Sequence, residues 1–93
     1  MGYLKYKFDS GVKPVGFNLI STEDVVAVRE NTPEINIEYG SGHQVSIENS
    51  GAGLGQDDVN TVIDGINIIN GSSGSTLDIE FSQLPDYVSV TKV

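Results

Sequence analysis

The chain has 93 residues, no cysteine, one histidine and a net charge of −8 at neutral pH. This length predicts one domain, residues 1–93, with a modest core, and the missing cysteines exclude disulfides, zinc–thiolate sites and a thiol nucleophile. The charge is uneven, because three lysines and one aspartate give +2 in residues 1–13, whereas two cations and twelve acids give −10 in residues 14–93. Binding to nucleic acid or to anionic membrane surfaces is therefore disfavoured.

Three strands are predicted in the first third of the chain. Residues 3–8 alternate apolar residues with lysines, which predicts a strand with one wet face. Residues 15–21 predict a second strand, with a bulge or strand end at Ile20. Its inward side chains are expected to be Val15, Phe17 and Leu19. A β-branched run favours a third strand over 24–30.

The clearest pattern lies in residues 34–48, which predict one β-hairpin with its turn at Gly40-Ser41-Gly42. Apolar and polar residues alternate in both arms, so six side chains share one face and the opposite face carries three glutamates. The facing pairs on the apolar side are Ile35 with Ile47, Ile37 with Val45, and Tyr39 with His43. The hairpin is therefore expected to have one buried side and one wet, acidic side.

The one helical pattern follows a glycine-rich segment, 49–55, that predicts a flexible loop. Apolar residues at helical spacing predict an amphipathic helix over residues 57–70. The apolar stripe is Val59, Val62, Ile63, Ile66 and Ile69. Asp57 and Asp58 suit the positive end of this helix. Gly65 and seven β-branched residues lower its intrinsic propensity, so the helix is expected to need a sheet to pack on.

Two strands are predicted after a Gly/Ser loop at 71–75. Residues 76–81 place Leu77, Ile79 and Phe81 inward, and residues 87–93 place Val88 and Val90 on one face. The element order β-β-β-β-β-α-β-β predicts an α+β fold. We expect an antiparallel sheet or open barrel of about six to seven strands, packed on one amphipathic helix.

No pattern of catalytic, cofactor-binding or metal-binding residues is present, and none is predicted. The segment 51–55 lacks both phosphate-loop spacings, and Asp57 and Asp58 would repel a phosphate at the helix start. A single histidine excludes a multi-histidine metal site within one chain. His43 is expected to pack on, or hydrogen-bond to, Tyr39. The acidic pairs lack the calcium-loop spacing and are interpreted as solvated faces.

A resemblance to a known group covers residues 24–93. The residues that carry it are Val25-Val26-Ala27-Val28, Ile35-x-Ile37-x-Tyr39-Gly40-x-Gly42, Val45-x-Ile47, a Gly-Ala-Gly loop, the helix and the terminal strand. In these features the chain resembles small uncharacterised proteins of marine tailed bacteriophages, including virion-associated ones. The resemblance implies a structural or assembly role and carries over no functional residue.

These observations predict a small non-catalytic structural or assembly protein that associates with itself or with other structural proteins. No nucleic acid, membrane or small-molecule substrate is expected as a partner. Without a visible signal sequence or a run of about 20 apolar residues, the chain is expected to be soluble, cytoplasmic in the host or virion-associated, and not secreted.

The predicted contact surface consists of strand edges in 76–81 and 87–93 together with the end of the hairpin. Its residues are Tyr39, His43, Leu77, Ile79, Phe81, Val88 and Val90. Two alternatives remain open. One is an acidic regulatory module that binds a cation or a basic partner, and the other is a small enzyme with a pocket joining His43, Tyr39 and a carboxylate.

Overall fold

A computed structural model describes residues 2–9, 16–71 and 76–92. The elements among them are β1 (Tyr3–Phe8), β2 (Gly16–Ser21), β3 (Val25–Asn31), β4 (Glu34–Tyr39), β5 (His43–Glu48), α1 (Gln56–Asn70), β6 (Thr76–Asp78) and β7 (Tyr87–Lys92). The described strands form two sheets, ordered β2-β1-β6 and β3-β4-β5-β7. All neighbouring strands are antiparallel except β1 and β6, which are parallel. The predicted α+β class is confirmed.

The described strands divide into two sheets between β2 and β3, where the sequence predicts one sheet or an open barrel. Thr22 fixes the end of β2, because its N–H and its hydroxyl each donate to the Gly2 carbonyl at 3.0 Å. Asp24 then adopts a left-handed φ of 63°, and its carbonyl accepts the Gly40 N–H at 2.8 Å. This turn directs β3 to the hairpin instead of to β2.

The two sheets and α1 share one apolar core. Its buried members are Leu4, Tyr6, Ile20, Ile35, Ile37, Ile47, Leu54, Val59, Val62, Ile69 and Phe81. The rings of Tyr6 and Phe81 meet edge to face, with centroids 5.3 Å apart. Helix α1 contacts β1, β3 and β6, so it joins the two sheets.

The predicted helix is confirmed, and it begins one residue earlier than expected. Three residues of the predicted stripe are buried, Ile66 is half-buried and Ile63 is exposed. Gly65 is also buried. Here α1 lies so close to β1 that a Cβ at this position would be only 2.9 Å from a methyl carbon of Leu4. The glycine that weakens the helix by itself therefore allows it to approach the sheet.

The predicted orientation of β2 is wrong. Phe17 and Leu19 are 61% and 55% exposed, whereas Ile20 is 2% exposed and belongs to the core. The register places Ile20 opposite Leu4 and Asn18 opposite Tyr6, on the inward face. A hydrogen bond joins the side chain of Asn18 to Tyr6, so a polar residue is satisfied at an inward position. Val15 lies outside the described residues.

The strand predicted over 76–81 is shorter in the structure. β6 ends at Asp78, and Ile79 makes one further bond by donating its N–H to the Lys5 carbonyl at 2.9 Å. The chain then leaves β1 and returns where the Asp9 N–H donates to the Pro85 carbonyl. The inward direction of Phe81 is confirmed, since it lies in the core.

The loop 49–55, for which the sequence predicts a flexible connection, is closely hydrogen-bonded. The Asn49 side-chain oxygen accepts the N–H groups of Gly51 and Gly53, each at 3.0 Å. The Leu54 N–H donates to the Pro33 carbonyl at 3.0 Å, and the Leu54 side chain is buried. The loop therefore packs against the turn between β3 and β4. Of the second predicted loop, residues 72–75 lie outside the described residues.

Alkaline pH is expected to destabilise the fold through two tyrosines. Burial raises the pKa of Tyr6 and of Tyr39 above the usual value of 10.0. Both phenols stay protonated in the folded chain at a pH where the unfolded chain already loses the proton. The stabilising contribution of the two phenols is therefore fully present below about pH 10 and is lost as the pH rises above it; for Tyr6 this loss is up to about 1.4 kcal/mol per pH unit.

Urea unfolding followed by circular dichroism at increasing alkaline pH measures this loss. Tyr6→Phe removes one titrating group, so its stability should decline less steeply with pH than that of the parent chain. The difference between Tyr6→Phe and the parent at neutral pH gives the cost of losing the hydroxyl alone, so only the change of this difference with pH reports the titration. A parent stability that stays constant well above the usual tyrosine pKa would contradict the prediction.

Candidate interaction surfaces

Four of the described strands lie at sheet edges, namely β2 and β6 in the first sheet and β3 and β7 in the second. Both strands predicted as contact surfaces are therefore edge strands. β6 has only three residues and presents little backbone to a partner. β3 and β7 have seven and six residues, and they differ in how well the edge is protected.

The edge formed by β3 is protected. Its register shifts between Val25 and Ala27, which marks a bulge. Arg29 and Glu30 add charges of both signs, and the Arg29 guanidinium forms an ion pair with Glu38 of the neighbouring strand. Bulges and charged residues are the common means by which edge strands avoid pairing with other chains.

The edge formed by β7 lacks these protections. Its register with β5 is continuous from Tyr87 to Lys92, and Lys92 is the one charged residue within it. Glu48 directs its backbone towards β7, since its carbonyl accepts the Asp86 N–H at 2.9 Å.

Bonded and non-bonded pairs alternate in an antiparallel ladder. Tyr87, Ser89 and Thr91 therefore bond to β5, whereas Val88 and Val90 direct their N–H and C=O groups to the free side of β7. Within the described chain, no strand pairs with that side.

The seven predicted contact residues differ in accessibility. His43 is exposed and Val90 is 66% exposed, the latter on the open edge strand. Four others are half-buried and pack on the core: Tyr39, Leu77, Ile79 and Val88. Phe81 is 8% exposed and forms part of the core, so its assignment to the contact surface is corrected.

His43 and Tyr39 lie at the closed end of the hairpin without a hydrogen bond between them. The His43 Nδ1 atom is 3.1 Å from the Ser41 hydroxyl. The Tyr39 hydroxyl instead donates to the Ser21 carbonyl at 2.8 Å, which ties the hairpin to the end of β2. The turn itself is as predicted, with Gly42 at φ 94° and its N–H donating to the Tyr39 carbonyl.

The outer side of the first sheet carries an apolar and positively charged patch, here called the cationic face: Lys5, Lys7, Phe17 and Leu19. Lys5 lies between Leu19 on β2 and Asp78 on β6, and Lys7 lies opposite Phe17. The Lys5 ammonium sits 4.3 Å from the centre of the Phe17 ring, a cation–π contact. Among the described residues, neither lysine forms an ion pair. The sequence analysis did not predict this face, because it placed Phe17 and Leu19 inward.

The outer side of the second sheet, here called the acidic face, carries the opposite charge: Glu34, Glu38, Glu48 and Tyr87. Glu34 lies directly opposite Glu48, and Tyr87 continues the same row on β7. Like charges at facing positions of a sheet are destabilising. Of the three glutamates only Glu38 has a cationic partner within the described residues, namely Arg29.

A groove of about 610 Å³ opens where the chain leaves β1 after β6. It is lined by Lys5, Tyr6, Lys7, Phe17 and residues 78–85. Asp58 holds the outer wall of this groove, since its buried carboxylate accepts the Ser82 N–H at 2.6 Å and the Ser82 hydroxyl at 2.7 Å. The same carboxylate accepts the Gly55 N–H at 3.0 Å at the start of α1.

Within the described residues, no three His, Cys, Asp or Glu side chains are grouped as metal ligands. No helix in that part of the chain is long and apolar enough to cross a membrane. Comparisons with protein-family models, with curated proteins and with solved structures found no match. The functional argument therefore depends on the geometry of the surfaces described above.

Proposed function

We propose that this chain is a non-catalytic structural protein that assembles with copies of itself through the free edge of β7. The observation that carries the proposal is the asymmetry of the second sheet, in which β3 is bulged and charged while β7 is regular and open. From the resemblance of residues 24–93 to small phage proteins, we further propose that the assembly belongs to a virion or to its formation.

Pairing of two β7 strands about a two-fold axis would join two four-stranded sheets into one. Val88 and Val90 would exchange backbone hydrogen bonds with their counterparts, which is the ordinary mode of strand addition. The exposed Val90 side chains would lose water at the same time. Two chains of net charge −8 repel each other, but β7 contains no acidic residue, so the repulsion is small at this contact.

Sedimentation equilibrium tests the proposal. Between about 1 µM and about 1 mM protein, which covers association free energies of roughly 8 to 4 kcal/mol, the parent chain is expected to pass from monomer to dimer. In high salt, where contacts between charged faces are screened, the parent is still expected to dimerise and Val90→Pro to stay monomeric. Proline removes an N–H that points to the free edge and leaves the bonds of Ser89 and Thr91 to β5 intact.

Val90→Thr is the matched control, because it keeps the N–H and the β-branched shape and should associate like the parent. Circular dichroism shows whether Val90→Pro is folded. If it is not, Val90→Lys provides a second variant that keeps the backbone and adds a protective charge. A parent chain that stays monomeric at the highest concentration, or folded edge variants that associate as the parent does, would overturn the proposal.

A further inference from the structure

We infer a second self-contact, in which the cationic face of one copy binds the acidic face of the next. The inference rests on the proposed assembly role but not on the β7 contact. Pairing through β7 would leave both faces free, because they are the outer sides of the two sheets, whereas the β7 contact uses a strand edge.

The cationic face has the properties of a contact surface. Phe17 and Leu19 stand side by side on β2, and more than half of each side chain is exposed. Two neighbouring lysines add positive charge: Asp78 lies opposite Lys5 on β6, but neither lysine forms an ion pair within the described residues. Exposed apolar area bordered by unpaired charge is typical of protein-binding surfaces rather than of a solvated sheet face.

The acidic face supplies the complementary charges. Glu34 and Glu48 face each other across the hairpin, and neither has a cationic partner within the described chain. Their mutual repulsion would be relieved by lysines of another copy. The exposed Tyr87 lies beside Glu48 on the same row and can cover Phe17 or Leu19.

The spacings of the two charge pairs agree. Lys5 and Lys7 are two residues apart on one face of a strand, which separates them by about 7 Å. Facing residues such as Glu34 and Glu48 have Cβ atoms about 5 Å apart. Lysine side chains are long and flexible enough to span this difference, so both ion pairs can form together.

A second copy fits this face better than an anionic lipid surface does. The chain carries thirteen acidic residues, and a densely negative lipid surface would repel most of them. The neighbouring copy instead brings two glutamates to the two lysines, and it meets one carboxylate of the same face, that of Asp78 opposite Lys5. Because the two faces are different surfaces, this contact is heterologous and continues as a ring or a filament.

Both faces are small compared with standard protein interfaces, so the contact is expected to be weak and sensitive to salt. Charge exchange in a Val90→Pro background, where the β7 contact is absent, tests it. Lys5→Glu/Lys7→Glu makes both faces negative, and Glu34→Lys/Glu48→Lys makes both positive. Each double variant alone should be monomeric at low salt, whereas an equimolar mixture should associate.

The Val90→Pro chain without charge changes should also associate at low salt and dissociate as salt is added. Glu23→Lys/Asp64→Lys is the matched control, since it makes the same charge change at exposed positions outside both faces and should associate like its parent. Sedimentation velocity measures all of these samples. Should Val90→Pro not fold, Val90→Lys serves as the background.

The inference is overturned if the mixture stays monomeric, or if either double variant alone associates like its parent. Binding of the parent to phosphatidylserine vesicles without self-association would also overturn it, in favour of a lipid surface. If Val90→Pro is monomeric at low salt while the wild type is dimeric, the face contact is contradicted and the β7 contact is supported. If the wild-type and Val90→Pro chains associate equally and both dissociate in salt, the face contact is supported and the β7 contact is contradicted.

Discussion

Asp58→Ala is expected to lower the free energy of unfolding by about 3 kcal/mol, a large part of the roughly 5–15 kcal/mol that stabilises a typical domain. The carboxylate is 2% exposed and accepts bonds from Gly55 and from two donors of Ser82. Each of these three part-buried bonds contributes about 0.5–1.5 kcal/mol. Urea unfolding followed by circular dichroism measures the loss.

Two variants separate the hydrogen bonds of Asp58 from its helix-start charge. Asp58→Asn keeps the shape but turns an NH₂ group towards N–H and O–H donors, so it is expected to cost about 2 kcal/mol. Asp57→Ala removes the neighbouring, exposed carboxylate and is expected to cost at most about 1 kcal/mol, the usual helix-dipole contribution. Equal losses for Asp57→Ala and Asp58→Ala would contradict the assignment.

The sequence predicts Asp58 only as a charge at the start of the helix. Helical spacing places it at this end of α1, but its bonds to Ser82 join residues that are 24 apart in sequence. Such a contact depends on how the chain returns after β6. Local pattern therefore identifies the charge at the helix start, whereas the bond to Gly55 and the attachment of the loop 79–85 to the helix require the tertiary structure.

The hairpin is the element that sequence predicts best, for a physical reason. A register error of one residue would turn Ile35 and Ile37 to solvent and bury the glutamates, so the alternation admits one pairing. The observed partners of these two residues are Ile47 and Val45, as expected. The wet side follows from the same alternation, and it includes the facing glutamates on which the acidic face depends.

The orientation of β2 could not be predicted because one polar residue reverses the pattern. Asn18 occupies an inward position where it bonds to Tyr6, and Phe17 and Leu19 are exposed. Alternation alone assigns the apolar pair to the core, since burial of such side chains is the usual outcome. The lysines of β1 did predict a solvent-exposed face. The apolar half of the cationic face was not predicted, because alternation assigned Phe17 and Leu19 to the core.

Gly65→Val is expected to destabilise the fold by about 2 kcal/mol, although glycine lowers helix propensity. At a solvated position in a helix, replacing glycine gains up to about 1 kcal/mol. Here a Cβ would lie 2.9 Å from Leu4 Cδ2 and 3.3 Å from Ile79 Cγ2. Overpacking of a buried contact costs about 1–3 kcal/mol, and the two added methyl groups must also move α1 away from β1.

Asp64→Val, at the exposed neighbouring position, is the matched control and should change the stability by less than about 0.5 kcal/mol. The clash also predicts coupling between Gly65 and Leu4, which are in contact. Leu4→Ala is destabilising by itself, because Leu4 is fully buried, yet it makes room for the new side chain. The double variant Leu4→Ala/Gly65→Val should therefore lose less stability than the two single losses combined, and strict additivity in urea unfolding would show that α1 does not approach β1 at Gly65.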